Sequence, residues 1–214
     1  MLGSFPAARP ECDINPMIFQ LFRRSPQTHI IAALYGTIVA QARSPVFYQS
    51  YGVPDTVNGR FEMLVLHIIL LLNRLRAEPD RAAAFGQSVF NHFCSDMDGN
   101  LREMGVGDLA VPANMRRIGE AFYGRQAAYE AALAAADPSA LAEALGRTIF
   151  GLDQGTNTGS RRLAAYVGEA VRHLATQDLS ANAGNGFGLE ELTYPDPNGV
   201  HPAWRLTGNI CIGD

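Results

Sequence analysis

Residues 63–72, MLVLHIILLL, hold nine apolar side chains and a single polar one, His67. At 3.6 residues per turn such a run has no polar face, so a helix formed by it needs apolar neighbours on every side. A bilayer span takes about 20 apolar residues. Here Arg60 and Glu62 precede the run, and Asn73, Arg74 and Arg76 close it. The run is about half a span bounded by charge, which predicts the central helix of a helical core.

The rest of the chain supplies the walls. Ser25-Pro26, Ser44-Pro45 and Asp137-Pro138 each place a capping residue before a proline suited to the first helical position. After the first of them, Ile30, Ile31, Leu34, Tyr35, Ile38, Val39 and Ala42 repeat at the spacing of a core-facing stripe. A short helix is predicted over 45–51, with Gly52 suited to a left-handed turn. The central helix then starts after a cap at Asp55 or Asn58 and ends near Arg76. Phe85, Val89, Phe93, Met97 and Leu101 predict a helix over 80–104, and Met115, Ile118, Phe122 and Tyr129 one over 112–135. Two more are predicted over 138–150 and 160–176. No alternating strand pattern precedes residue 185. The expectation is an all-α, single-domain bundle of about six or seven helices with irregular N- and C-terminal extensions. Its divisions are 1–24, a helical domain over 25–177, and a Gly/Asn/Pro-rich acidic tail over 178–214. Met17 is a candidate natural start.

Composition narrows the chemistry. All 17 basic residues are arginine, so a Walker-type phosphate loop, a Schiff-base lysine and a Ser-Lys dyad are excluded. The net charge of −4 is concentrated in the tail, where five acids face Arg205 alone; such a chain is not expected to bind DNA. Cys12, Cys94 and Cys211 are too far apart for a CxxC pair and odd in number, which suits a reducing compartment.

Each local pattern tested for a reaction or a metal is weak. His67 has Met63 and Leu71 at i±4, so it has no ligand or acid partner on its own helix. Asp96, Asp98 and Asn100 alternate as in an EF-hand, but Leu101 and Gly107 stand where glycine and glutamate are required. His92 and Cys94 diverge on a helix. GLDQGTNTGS, 151–160, lacks the lysine and the strand of a phosphate loop. No catalytic residue, metal ligand or cofactor is therefore expected. Met17, Ile18, Leu21 and Phe22 beside Arg23 and Arg24 form a short apolar patch with basic flanks. Ile18, Phe22, Arg23 and Arg24 are its candidates for an anionic membrane surface. Arg60, Arg102, Arg116, Arg117 and Arg125 could meet acidic or RNA surfaces, but Glu62, Glu103, Asp108 and Glu120 nearby favour internal ion pairs.

The stretch LYGTIVAQARSPVFYQSYGVPDTVNGRFEMLVLHIILLLNRL, followed by MDGNLREMGVGDLAVPANMRRIGEAFYGRQAAY, resembles the ubiquinol–cytochrome c chaperone family of cytochrome bc1 complex assembly factors. The resemblance runs from about Leu34 to Tyr129 and more weakly to about residue 175. It implies a helical, non-enzymatic chaperone for newly synthesised cytochrome b, peripheral at the cytoplasmic face of a bacterial inner membrane (the matrix side in a mitochondrion). The ribosome is a further expected partner; the small partner protein of mitochondrial members is left open for a bacterial chain, which the lack of an Arg/Ser-rich transit segment favours. Positions matching the family pattern that become candidates for binding client or partner are Tyr48, Asp55, Arg60, Phe61, Glu62 and His67. The second block adds Arg102, Glu103, Asp108, Met115, Tyr123 and Arg125. The alternative from another class is a helical enzyme or cofactor carrier using His67 with arginine and carboxylate neighbours.

Overall fold

The helix 57–75 is enclosed as its sequence demands. In the computed structural model, which describes residues 26–76, 81–135, 137–177 and 193–197, seven helices and no strand are found among the described residues. They are α1 (Pro26–Ala42), α2 (Pro45–Gln49), α3 (Val57–Leu75), α4 (Arg81–Glu103), α5 (Val111–Ala134), α6 (Pro138–Thr148) and α7 (Thr158–Thr176). α3 packs against α1, α4, α5 and α7, and α6 joins α5 to α7 on the outside. Met63 through Leu71 are all buried, on every face of the helix. Thr28–Gln49 is the one stretch among the described residues long and apolar enough to cross a membrane. It is interrupted at Arg43–Ser44, and Ile31, Leu34, Tyr35 and Ile38 turn into the core.

Several ends differ from expectation. α3 is capped by Thr56, whose hydroxyl accepts from the Gly59 N–H at 3.0 Å, rather than by Asp55 or Asn58. Asp55 is held instead by Arg60 at 2.7 Å. Ser44 sits at the N-cap of α2 but makes no side-chain cap bond there; Asp137 does cap α6, accepting from Ser139 N–H at 2.8 Å. α7 begins at Thr158, two residues before the predicted 160, because Asn157 and Ser160 form a reciprocal capping box that puts Ser160 inside the first turn. A Cβ on Gly159 would stand 2.3 Å from the Tyr51 carbonyl oxygen and 2.6 Å from the Phe150 ring. The first turn of α7 can approach that backbone only without a side chain.

The largest departure concerns the acidic tail, expected as an extension outside the domain. Thr193–Pro197 lies in the core, filling the gap between α1 and α7. Tyr194 is fully buried and donates to the His67 carbonyl at 2.9 Å. The strap is fixed along its length: Gln177 exchanges bonds with the Thr193 backbone at 2.7 and 3.0 Å, and Tyr51 donates to the Pro197 carbonyl at 2.7 Å. Gln41 reaches Pro195 O at 3.3 Å. The α3 run needs apolar cover on this side too, and a tyrosine carried by non-helical backbone supplies it. The membrane-surface candidates Ile18, Phe22, Arg23 and Arg24 lie outside the described residues.

His67 faces this gap. Its Nδ1–H donates to Met63 O at 2.7 Å, and its Nε2 accepts from the Tyr166 hydroxyl at 2.9 Å, which in turn accepts from Gln41 at 3.0 Å. That chain fits only a neutral imidazole, and burial pushes the His67 pKa down to about 4. An unfolded histidine titrates near 6.5, so His67 contributes fully to stability above that pH. The contribution is lost as pH falls from about 6.5 through about 4. Between pH 7 and 5 the loss is about 2 kcal/mol. Urea unfolding of the wild type and His67→Gln at both pH values checks this: the variant is less stable at pH 7 but its decline is smaller by about that amount. Gly159→Ala is expected to cost about 1–3 kcal/mol in the same assay through overpacking.

Candidate functional site

Successive helices α3, α4 and α5 run up, down and up through the bundle, so the start of α3, the end of α4 and the start of α5 share one end. Phe61 of α3 meets Phe93 of α4 at 6.4 Å between ring centroids, and Phe93 meets Phe122 of α5 at 5.5 Å. From this layer Val57 is about one helical turn further along α3, while Met104 is about three turns further along α4 in the same direction. The α4–α5 turn therefore projects past the start of α3. Gly105 takes a left-handed conformation there, φ +82°, and reverses the chain after Met104. The projection leaves Met104 63% and Leu109 99% exposed, with Val57 78% exposed on the neighbouring helix end. These are three of the four large apolar side chains that stand exposed among the described residues; Met104 and Leu109, on one turn, form an apolar tip, with Val57 about two helical turns below it.

Several charges around the tip pair with one another. Arg60 pairs with Asp55, Arg102 bridges Asp98 and Asp108, and Arg116 lies 3.6 Å from Glu120. Of the ion pairing expected for this group of arginines, that of Arg60, Arg102 and Arg116 is present here. Glu103 is exposed beside Arg102, Met115 is half-buried one turn into α5, and Phe61 is half-buried against Phe93. Tyr48 is half-buried and donates to Ala42 O at 2.8 Å, closing the α1–α2 corner. Tyr123 stands elsewhere, 59% exposed and in ring contact with Phe90 and Phe122.

Two candidates do not face outward. Glu62 has no exposed surface, and its carboxylate accepts from Arg125 Nε at 2.7 Å and Nη2 at 2.5 Å. This two-pronged pair ties α3 to α5 across 63 residues of sequence. His67, equally buried, is surrounded by Tyr166, Tyr194 and Phe47 rather than by arginines and carboxylates. Among the described residues, neither of its two hydrogen bonds goes to an arginine or a carboxylate. Asp96 and Asp98 are helical and engaged, the first by Tyr35 at 2.7 Å and the second by Arg102. Among the described residues no three His, Cys, Asp or Glu side chains gather as a metal site.

Sequence reasoning missed the tip as an apolar surface. Part of the signal was available: Met104 and Leu109 flank Gly105 and Gly107, where the helix predicted over 80–104 ends. Also missed was the pair Arg76–Glu130, 2.6 Å, which ties the end of α3 to α5. Removing one member of the Glu62–Arg125 pair leaves the other buried alone. Arg125→Met is expected to cost about 3 kcal/mol or more, and adding Glu62→Leu to recover most of it, read from urea midpoints.

With this geometry in place, likeness to known proteins is informative. Residues 49–187 match the family described as ubiquinol-cytochrome C chaperone. The chain is similar to ubiquinol-cytochrome-c reductase complex assembly factor 1 of Xenopus laevis, 26% identical over 69% of this chain and 74% of that protein. The mouse and human proteins of the same name are each 29% identical over 67% of this chain, which spans about half of their length, 49% and 48%. Among solved structures, the Cbp3 homolog from Brucella abortus superposes with a TM-score of 0.67 at 39% identity, covering 86% of this chain and all of that one. The matched region takes in α3 to α7, the first motif block from Gln49 onward and the whole of the second. The chain belongs to the ubiquinol-cytochrome C chaperone family.

Proposed function

We propose that this protein is a non-enzymatic assembly chaperone of the cytochrome bc1 complex that binds newly made cytochrome b. The observation that carries the reading is the family match over 49–187, joined to similarity with proteins named as assembly factors of ubiquinol-cytochrome c reductase. The physical character of the surface supports it. An exposed apolar tip on a rigid helical hairpin suits transient cover of apolar polypeptide, and the surrounding ion pairs leave little field to attract nucleic acid.

In this reading the chaperone works beside the membrane that receives its client, at the cytoplasmic face of a bacterial inner membrane. The apolar and basic patch at Ile18, Phe22, Arg23 and Arg24 supplies peripheral attachment. Ribosome contact would bring it to the client as synthesis proceeds. A small partner protein, where one exists, would share the chaperone's exposed surface.

Affinity capture of the tagged full chain from pulse-labelled membranes tests the proposal. Newly synthesised cytochrome b is expected to co-purify, and deletion of the gene to lower assembled cytochrome b while other respiratory complexes persist. Normal bc1 levels in the deletion strain would contradict it. Met104→Asp with Leu109→Asp is expected to reduce capture at least fivefold with the thermal midpoint unchanged, since both side chains are exposed. Phe22→Asp with Arg23→Ala is expected to move the protein into the soluble fraction.

A further inference from the structure

A hollow of about 260 Å3 runs along α4 over His92, Ser95, Asp96, Gly99, Asn100 and Glu103. These residues follow one another at helical spacing, so they share one face of α4. Gly99 leaves a gap midway, and a Cβ added there would meet nothing within 4 Å. α1 lies beside this face. The Tyr35 hydroxyl donates to Asp96 at 2.7 Å, and the Tyr35 ring stands 4.8 Å from the His92 ring between centroids.

The direction of α1 fixes where the chain before it joins the bundle. Tyr35 meets α4 at Asp96, just beyond Phe93, which packs on Phe61 near the start of α3. Further along α1, Gln41 reaches the Tyr166 hydroxyl that bonds to His67 in the middle of α3. α1 therefore runs with α3 and against α4. Pro26, nine residues before Tyr35, lies about 14 Å from it toward the α4–α5 turn. Glu103, seven residues after Asp96, lies about 10 Å from it in the same direction. The residues preceding Pro26 thus enter at the Glu103 end of the hollow. Met17–Arg24 covers about 12 Å as a helix and about 27 Å extended. From Glu103 back to His92 is about 16 Å, within that reach. Charge is complementary as well. Arg23 and Arg24 are the part of this segment nearest α1. Glu103 is exposed, and none of the ion pairs among the described residues uses it.

We propose that Met17–Arg24 seats in this hollow when no bilayer is at hand, with Arg23 or Arg24 on Glu103 and Phe22 in the space over Gly99. The proposal rests on the membrane attachment put forward above, in which Ile18, Phe22, Arg23 and Arg24 meet an anionic surface. The same side chains cannot occupy both places at once. Docking therefore withholds the segment from lipid, and an anionic bilayer draws it out by binding the undocked form better. The apparent membrane affinity is reduced by the fraction of chain that is undocked. Attachment becomes a switch between a self-covered and a membrane-bound state, and it leaves the apolar tip uncovered in both.

The test uses the purified full-length chain in two assays. For disulfide trapping, Cys12→Ser, Cys94→Ala and Cys211→Ser remove the native thiols. Phe22→Cys with Gly99→Cys is then expected to close a disulfide within one chain under mild oxidation. The rate is expected to be at least fivefold that of Phe22→Cys with Ala33→Cys, since Ala33 is exposed on the side of α1 opposite Tyr35. Vesicles of equal parts phosphatidylcholine and phosphatidylglycerol are expected to slow the Gly99 reaction at least fivefold. In flotation with the same vesicles, Glu103→Gln and Gly99→Gln, the second filling the hollow without charge, are each expected to raise the bound fraction at least threefold. Neither is expected to do so in a Phe22→Asp chain, and neither to lower the thermal midpoint. Equal trapping rates at Gly99 and Ala33 overturn the docking and leave membrane attachment standing. Fast trapping at Gly99 with flotation unmoved by Glu103→Gln and Gly99→Gln overturns the switch. No flotation by the wild type or either variant overturns membrane attachment and the switch together, while the trapping rates still decide the docking.

Discussion

The structure depends on withdrawing one helix from water on all sides. α3 carries ten consecutive buried positions, Glu62 to Leu71, with His67 among them, and no single neighbour can cover more than part of such a cylinder. α1, α4, α5 and α7 take four sectors, and Tyr194 closes the one left between α1 and α7. His67 sits in that last sector, where a purely apolar wall would leave its imidazole unpaired. The chain Gln41–Tyr166–His67–Met63 uses each donor and acceptor once, so it also fixes which residues of α1, α3 and α7 stand opposite one another. Apolar burial drives the assembly; this small polar network sets its register.

Charged groups do a second kind of positioning, at the ends of the helices. Glu62–Arg125 fixes the start of α3 to α5, and Arg76–Glu130 fixes the end of α3 to the same helix. Arg74 reaches the last carbonyls of α7, Leu174 O at 2.8 Å and Gln177 O at 3.0 Å, satisfying acceptors that a helix end leaves open. These arginines of a chain without lysine are thereby committed to structure rather than to recognition. The apolar tip, by contrast, offers shape and exposed hydrophobic area rather than long-range attraction.

Much of this was legible in the sequence. Proline positions and i, i+3/i+4 periodicity give the helices because both signals are local, and the ten-residue run gives the centre because its lack of a polar face admits one solution. The misses share a physical character: each depends on a partner far along the chain. Glu62 belongs to a motif with exposed neighbours, and its burial follows from Arg125. Tyr194 lies in a stretch whose composition reads as a polar tail, and only the gap between α1 and α7 gives it a place. The exposure of Met104 and Leu109 follows from α4 outrunning α3, a difference in length that neither helix reveals alone.

The apolar tip stands at the free end of the α4–α5 hairpin, and the Phe61–Phe93–Phe122 layer joins that hairpin to α3 about three turns of α4 below it. Arg102 bridges Asp98 and Asp108 beneath the tip, so the turn that carries Met104 and Leu109 is tied by charge pairs rather than by apolar burial. A turn tied in this way can leave both side chains in water. Under the proposed function, those two side chains are the surface that a client would cover.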